Sequence, residues 1–245
     1  AKFIGEHVFA ISGGIFDISL NNKPIRTNKA YIAKDGDILS IKSAKQGLRC
    51  YLAVTGGFDV PLFMGSAATN LKIKVGGFNG RKLKAGDILK IGKADKIKNI
   101  EKRELPENTY NNPVKVRVVL GPQDDMFSEN DLLLFSNQQY TVTSDLDRMG
   151  IRLWGIALRG KEKLEIISDA ITFGSIQITN SGMPIILMAD HQTTGGYAKI
   201  ATVISADLPK LAQVKPKDKI SFEIIDIDIA EKIAIKQKKH IDKLF

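Results

Sequence analysis

Met183-Pro184-Ile185-Ile186-Leu187-Met188-Ala189-Asp190-His191-Gln192-Thr193-Thr194-Gly195-Gly196-Tyr197-Ala198-Lys199-Ile200-Ala201-Thr202-Val203-Ile204 is the stretch around which the chain is organised. Its two apolar runs, 183–189 and 200–204, read as buried strands. Between them, residues 190–199 gather an acid, an imidazole, an amide, hydroxyls and an amine. The Gly195-Gly196 pair permits close backbone approach and a positive φ. Turned inward, successive N–H groups of Thr193, Thr194, Gly195 and Gly196 would form a small anion-binding concavity. A polar hairpin loop that needs glycine to turn is the competing reading.

The same strand-and-turn grammar extends outward in both directions. Towards the N-terminus, Ile176-Gln177-Ile178, Ile151-Arg152-Leu153-Trp154, Tyr140-Thr141-Val142-Thr143 and Val114-Lys115-Val116-Arg117-Val118-Val119-Leu120 read as strands. Ser128, with Asp131 three residues on, reads as a helix cap, and Asp207-Leu208-Pro209 as the start of a short helix. A 3.6-residue pattern places Ile229, Ile233, Lys236, His240 and Leu244 on one side of a C-terminal helix over 228–244. The first half is β throughout. His7-Val8-Phe9-Ala10-Ile11-Ser12 is expected to end at Gly13-Gly14, and a strand over 15–20 to end at Asn21-Asn22.

A strand, basic tight turn and strand recur as 31–41 and 81–91, with a looser copy over 211–222. Four double glycines (Gly13-Gly14, Gly56-Gly57, Gly76-Gly77, Gly195-Gly196) read as bends or bulges in curved sheets. Ser66-Ala67-Ala68-Thr69-Asn70 is expected to start one helical turn. The pattern lapses from Gly92 to Pro113, which suggests a linker or crossing segment. The expected architecture is mainly β, with β-barrels, a few short helices and a C-terminal helix. It divides into an N-terminal β domain over 1–105 and a barrel domain with the helix over 106–245.

At 245 residues, 43% hydrophobic and 26% charged, the composition is that of a soluble globular protein. No apolar run approaches the roughly 20 residues that span a bilayer. One cysteine, Cys50, leaves no internal disulfide and fits a reducing, cytoplasmic compartment. Residues 1–105 carry 19 Lys+Arg against 9 Asp+Glu. These lysines are scattered without interleaved aromatics, so a solvated surface or a face toward an acidic partner is preferred over nucleic acid. No nucleotide loop, zinc-ligand spacing or serine elbow is present, so no metal site is expected.

Gly121-Pro122-Gln123-Asp124-Asp125, Asp147-Arg148-Met149-Gly150-Ile151-Arg152-Leu153-Trp154-Gly155 and the 190–201 segment together resemble a known family. Tyr51-Leu52-Ala53-Val54-Thr55-Gly56-Gly57-Phe58-Asp59-Val60-Pro61 and Gly65-Ser66 belong to the same resemblance. The family is that of the biotin-dependent carboxyltransferases, also called allophanate hydrolase subunit 2 or KipA-like, and the resemblance runs to about Phe222. It implies cyclophilin-like barrels and a site shared with a KipI-like partner, the B subunit of a 5-oxoprolinase, with the A component of that enzyme as a further member. Family members begin with a further N-terminal segment, containing Thr-Val-Gln-Asp-x-Gly-Arg and Ser-Gly-Ala-Met-Asp-like stretches, that is absent from this sequence.

The activity implied first is that of the C subunit of an ATP-dependent 5-oxoprolinase, which opens a lactam to glutamate. The alternatives are the carboxyltransferase half of a urea or amide carboxylase and a KipA-like regulator that binds a kinase inhibitor. No biotinyl-attachment motif is present, so carboxybiotin would come from another protein, and ATP would act with the partner. These reactions develop negative charge on oxygen, which preorganised N–H donors stabilise. Asp190, His191 and Gln192 are the candidate catalytic residues, although Asp190 could instead cap its own loop. Gln177, Arg148, Thr193, Thr194, Gly195, Gly196, Tyr197 and Lys199 are the candidate substrate-binding residues. Gln177 and Gln192 suit a urea or lactam amide. Arg148 and Lys199 suit an anion or an ordinary salt bridge. Tyr197 could stack on a flat ring or cover the core.

Overall fold

The computed structural model describes residues 1–94 and 97–244; positions 95 and 96 of the expected linker lie outside the described residues. Two compact units appear, Ala1–Asn108 and Thr109–Phe245. The first is built on one long strand, β1 (His7–Leu20). It is flanked on one side by β2 (Lys23–Pro24) and β3 (Ala30–Ala33) and on the other by β4 (Leu39–Val54). Phe3, Phe9, Ile11, Ile18, Leu39 and Val54 form its core. Burying each such side chain stabilises by about 1.5–3 kcal/mol.

Gly13-Gly14 does not end a strand. β1 runs through it, and the register with β4 shifts between Gly13 and Ile15. Gly13 has φ +101°, and a Cβ there would lie 2.5 Å from the Arg49 carbonyl oxygen. The pair is therefore a bulge that keeps the strand continuous.

The recurring turn is a single motif used three times. The Asp37, Asp87 and Asp218 carboxylates accept the backbone N–H groups of Lys34, Lys84 and Lys215 at 2.8, 2.6 and 3.0 Å. Positive φ falls on Gly36, Gly86 and Lys217, as a type II geometry demands. The flanks differ from expectation, however. Only the first copy joins two strands. The 81–91 copy has no strand, only a bridge from Ile91 to Phe58. The third copy follows a helix. Residues 66–70 form no helical turn; Ser66 instead bridges Phe63.

In the second unit the strands are β5 (Val114–Leu120), β6 (Tyr140–Leu146), β7 (Gly150–Trp154), β8 (Glu165–Ala170) and β9 (Ser175–Ile178). β10 (Pro184–Leu187), β11 (Thr194–Tyr197), β12 (Lys199–Val203) and β13 (Lys219–Ile224) follow. Seven of them close a barrel in the order β10-β7-β6-β13-β5-β12-β9, and β8 and β11 form a separate two-stranded ribbon. The mainly-β expectation holds. Helix α1 (Glu129–Asn137) starts at the Ser128/Asp131 capping box, and its Phe135 stacks on Phe222 at 4.6 Å. Helix α2 (Leu208–Leu211) carries its proline in the first turn.

Helix α3 (Ile227–Asp242) is present, but its only buried residue is Ala230. Ile229 and Leu244, on the expected apolar side, remain exposed. The barrel is pinned from outside by Asp207, which is fully buried. It accepts the Arg117 N–H at 2.8 Å, the Arg117 Nε and Nη2 at 2.9 and 2.6 Å, and Lys210 Nζ at 2.9 Å.

Candidate functional site

Residues directly opposite one another in antiparallel strands point to the same face of a sheet. Arg152 of β7 lies opposite Ile185 of β10, Ile185 opposite Gln177 of β9, and Gln177 opposite Lys199 of β12. The neighbouring row, Ile151, Ile186 and Ile176, is buried in the barrel core. The row Arg152–Ile185–Gln177–Lys199 therefore points out of the barrel. Gln177 is nevertheless only 2% exposed, because the β8–β11 ribbon covers it. The stretch 190–199 is thus neither a free hairpin loop nor an inward nest. Four of its ten residues form a strand laddered to β8, Thr194 opposite Ala170 and Gly195 opposite Asp169.

Beside the Tyr197 end of this ribbon lies a cavity of about 540 Å³, within the size range of small-molecule sites. Gln177, Gln192 and Tyr197 line it together with Asp145, Asp147, Arg152 and the apolar Met149, Ile185 and Leu187. Gln177 Nε2 donates to the Tyr197 carbonyl at 3.1 Å. That bond fixes the amide orientation, because only the nitrogen can bond a carbonyl oxygen. Its Oε1 has no hydrogen-bond partner among the described residues. Gly195 makes the arrangement possible: a Cβ there would lie 2.6 Å from Ile171 Cδ1 and 2.9 Å from Gln177 Nε2. Neither Gly195 nor Gly196 has a positive φ, so space, and not backbone handedness, is what requires glycine at 195.

The remaining expected site residues take other places. Lys199 is buried, and its Nζ is held by Asp169 Oδ2 at 2.5 Å and the Ala170 carbonyl at 2.8 Å. The ammonium is therefore committed to the ribbon and not offered to a ligand. Its hydrogen bond, first, holds the Asp169 carboxyl below the usual carboxylate range. Gln123 joins this knot by accepting the Lys199 N–H at 3.2 Å. The Gly121-Pro122-Gln123 motif is thereby explained by packing: a Cβ at Gly121 would lie 2.2 Å from the Lys199 carbonyl oxygen.

Arg148 donates to Asp190 through Nε and Nη2 at 2.7 and 2.8 Å. The pair braces two loops outside the cavity wall. The His191 ring shares a 2.6 Å hydrogen bond with the Gln192 carbonyl. Thr193 and Thr194 are exposed. Neither His191 nor these threonines line the cavity.

Arg152, Asp145 and Asp147 were not among the expected site residues. The signal for Arg152 lay in parity. It alternates with Ile151 and Leu153, whereas Arg148 precedes the strand.

Lys199→Ala is accordingly expected to act on stability. With its partner half-exposed, the loss should be roughly 2 kcal/mol, below the 3–5 kcal/mol of a fully buried pair. Urea unfolding at pH 7 measures it, and an unchanged midpoint would contradict the assignment.

A larger cleft, about 970 Å³, lies in the first unit between Phe3, Leu52, Phe58, Phe78 and Ile91. Its Arg81 is bidentate on Asp87 at 2.8 Å and sits over the Phe78 ring. None of the candidate residues faces it. Among the described residues no group of three His, Cys, Asp or Glu side chains could hold a metal ion, and no helix is long and apolar enough to cross a membrane.

The sequence model of the family described as carboxyltransferase domain, subdomain A and B, matches residues 1–224, and the chain belongs to that family. It is 38% identical to the C subunit of 5-oxoprolinase from Haemophilus influenzae over 245 residues, covering 99% of this chain and 77% of that protein. The corresponding protein of Escherichia coli is 36% identical, with the same shares covered. The fold matches the crystal structure of the Kluyveromyces lactis urea amidolyase with a TM-score of 0.89 at 30% identity, over 100% of this chain and 16% of that one.

Proposed function

We propose that the chain is the C subunit of an ATP-dependent 5-oxoprolinase, and that the cavity lined by Gln177, Gln192 and Tyr197 holds the lactam. The similarity to two 5-oxoprolinase C subunits over 99% of the chain supports the first part. The observation that carries the second is the Gln177 amide, pinned through its nitrogen by the Tyr197 carbonyl and lining the same cavity as Gln192. A lactam presents an N–H donor and a carbonyl acceptor, which two glutamines complement.

In the reaction, water adds to the lactam carbonyl, the ring C–N bond breaks and the nitrogen takes a proton, giving glutamate. Negative charge develops on the carbonyl oxygen as water adds, and a fixed amide N–H donor stabilises it. In this reading Gln192, which lines the cavity, supplies that donor. Tyr197 and the apolar wall of Met149, Ile185 and Leu187 hold the ring and exclude water. ATP chemistry is assigned to partners of the A and B type. The assembly is expected in the cytoplasm.

The match to the urea amidolyase fold favours a second reading, carboxyl transfer to urea from carboxybiotin held by another protein. One experiment separates the two. The chain is assembled with candidate A and B partners and supplied with ATP and 5-oxoproline, or with carboxybiotin and urea. ATP-dependent release of glutamate is the expected outcome. Urea-dependent consumption of carboxybiotin without glutamate release would replace the first reading by the second.

A further inference from the structure

We propose that Arg152 is the residue that selects a carboxylate-bearing cyclic amide, by holding the substrate's carboxylate while Gln177 reads its amide; the inference rests on the lactam-opening reading. Arg152 and Gln177 stand in one row on one face, separated only by the strand that carries Ile185. Two strand spacings put their Cα atoms roughly 10 Å apart. The long Arg152 side chain can close much of that gap across the apolar floor of Ile185. The row thus reads, in order, an amide, an apolar surface and a cation. A small ring can lay its methylene groups on Ile185 with its amide toward Gln177, while the carboxylate on the carbon next to the amide nitrogen is met by the Arg152 side chain reaching across the floor.

The remaining charges point to Arg152 as the anion holder. Among the described residues it is the one Lys or Arg lining the cavity. Lys199, next in the same row, is neutralised by Asp169, and Arg148 is bidentate on Asp190. Within the cavity, the Nε of Arg152 lies 3.9 Å from Asp145 Oδ2, beyond hydrogen-bond reach, and its side chain is 57% exposed. This loose approach orients the guanidinium and leaves Nη1 and Nη2 for a bidentate bond to a carboxylate. The other cavity acid, Asp147, is occupied with the backbone N–H groups of Met149 and Gly150 at 2.7 and 3.1 Å. Urea carries no carboxylate, so Arg152 would have no counterpart in a urea site.

The test compares 5-oxoproline with 2-pyrrolidinone, the same ring without the carboxylate, on the assembled complex. Binding is read by ligand-observed NMR, and glutamate release is assayed in the same samples. The wild-type complex is expected to bind 5-oxoproline about 10- to 100-fold more tightly than 2-pyrrolidinone, as hydrogen bonds to a charged group provide. Arg152→Ala should erase that preference and leave 2-pyrrolidinone binding unchanged, and Arg152→Lys should restore part of it.

Equal binding of the two lactams by wild type, or a preference that survives Arg152→Ala, would overturn the proposal. Equal weakening of both lactams in the alanine variant would also overturn it, since that is the mark of a structural role. A preference that depends on Arg152 without glutamate release would support the carboxylate site while refuting the lactam-opening reaction.

Discussion

Gly195→Val is expected to lower glutamate release by the assembled enzyme by about 100-fold or more, the order of loss that a misplacement of 1 Å produces. The first carbon of the new side chain would fall 2.9 Å from Gln177 Nε2 and 2.6 Å from Ile171 Cδ1. The Gln177 amide must then shift, which disturbs its bond to the Tyr197 carbonyl. Gly196→Ala is the control. Its Cβ would meet only the Ile166 carbonyl at 3.3 Å and Ser168 Oγ at 3.9 Å, and neither glycine has a positive φ. A mild effect at 196 beside a severe one at 195 identifies the Gln177 side chain as the affected group. Equal losses would mean that the ribbon as a whole had been disturbed.

The second large effect is on stability. Asp207→Ala should destabilise the barrel unit by about 3 kcal/mol, because it leaves the Arg117 guanidinium and its backbone N–H without their carboxylate. At roughly 2–4 °C per kcal/mol for a chain of this size, the thermal midpoint should fall by about 10 °C. Burial pushes the Asp207 carboxyl up, and the bonds from Arg117 and Lys210 outweigh it, so the net direction is down.

A carboxyl whose folded pKa lies below its unfolded value of about 3.9 stabilises fully above that value, and the contribution is lost as pH falls through the folded one. The gap in midpoint between wild type and Asp207→Ala should therefore be constant from pH 7 to 5 and narrow below about pH 4. Thermal scans by circular dichroism across that range measure it. A gap that widens on acidification would contradict the assignment.

The sequence made the barrel visible where side-chain pattern and structure share a cause. Val114–Leu120 alternates because one face packs the core, and Ser128 with Asp131 caps a helix because both carboxylate and hydroxyl reach backbone N–H groups. The ribbon was not legible. Five of the six residues of Glu165–Ala170 are exposed, so no apolar alternation marks β8. With β8 unseen, its partner β11 reads as a polar loop.

The same blind spot moved the cations of the site. Lys199 looks available until Asp169 is brought across the ribbon to meet it, and Arg148 looks like a ligand holder until its loop closes on Asp190. Arg152 is set by register, which a single sequence states only through the alternation of 151–153. Gln177 is singled out by its amide, and it is among the residues lining the cavity. Its burial depended on a cover that lies elsewhere in the chain.

The most direct test of the account is hydrogen–deuterium exchange on the assembled complex, with and without 5-oxoproline, while ATP and the partner proteins are present. If the ribbon-covered row holds the substrate, exchange should slow in 175–178, 185–187 and 192–197 together, since these segments wall one cavity from three strands. Unchanged exchange in all three segments, in a complex that is releasing glutamate, would contradict it.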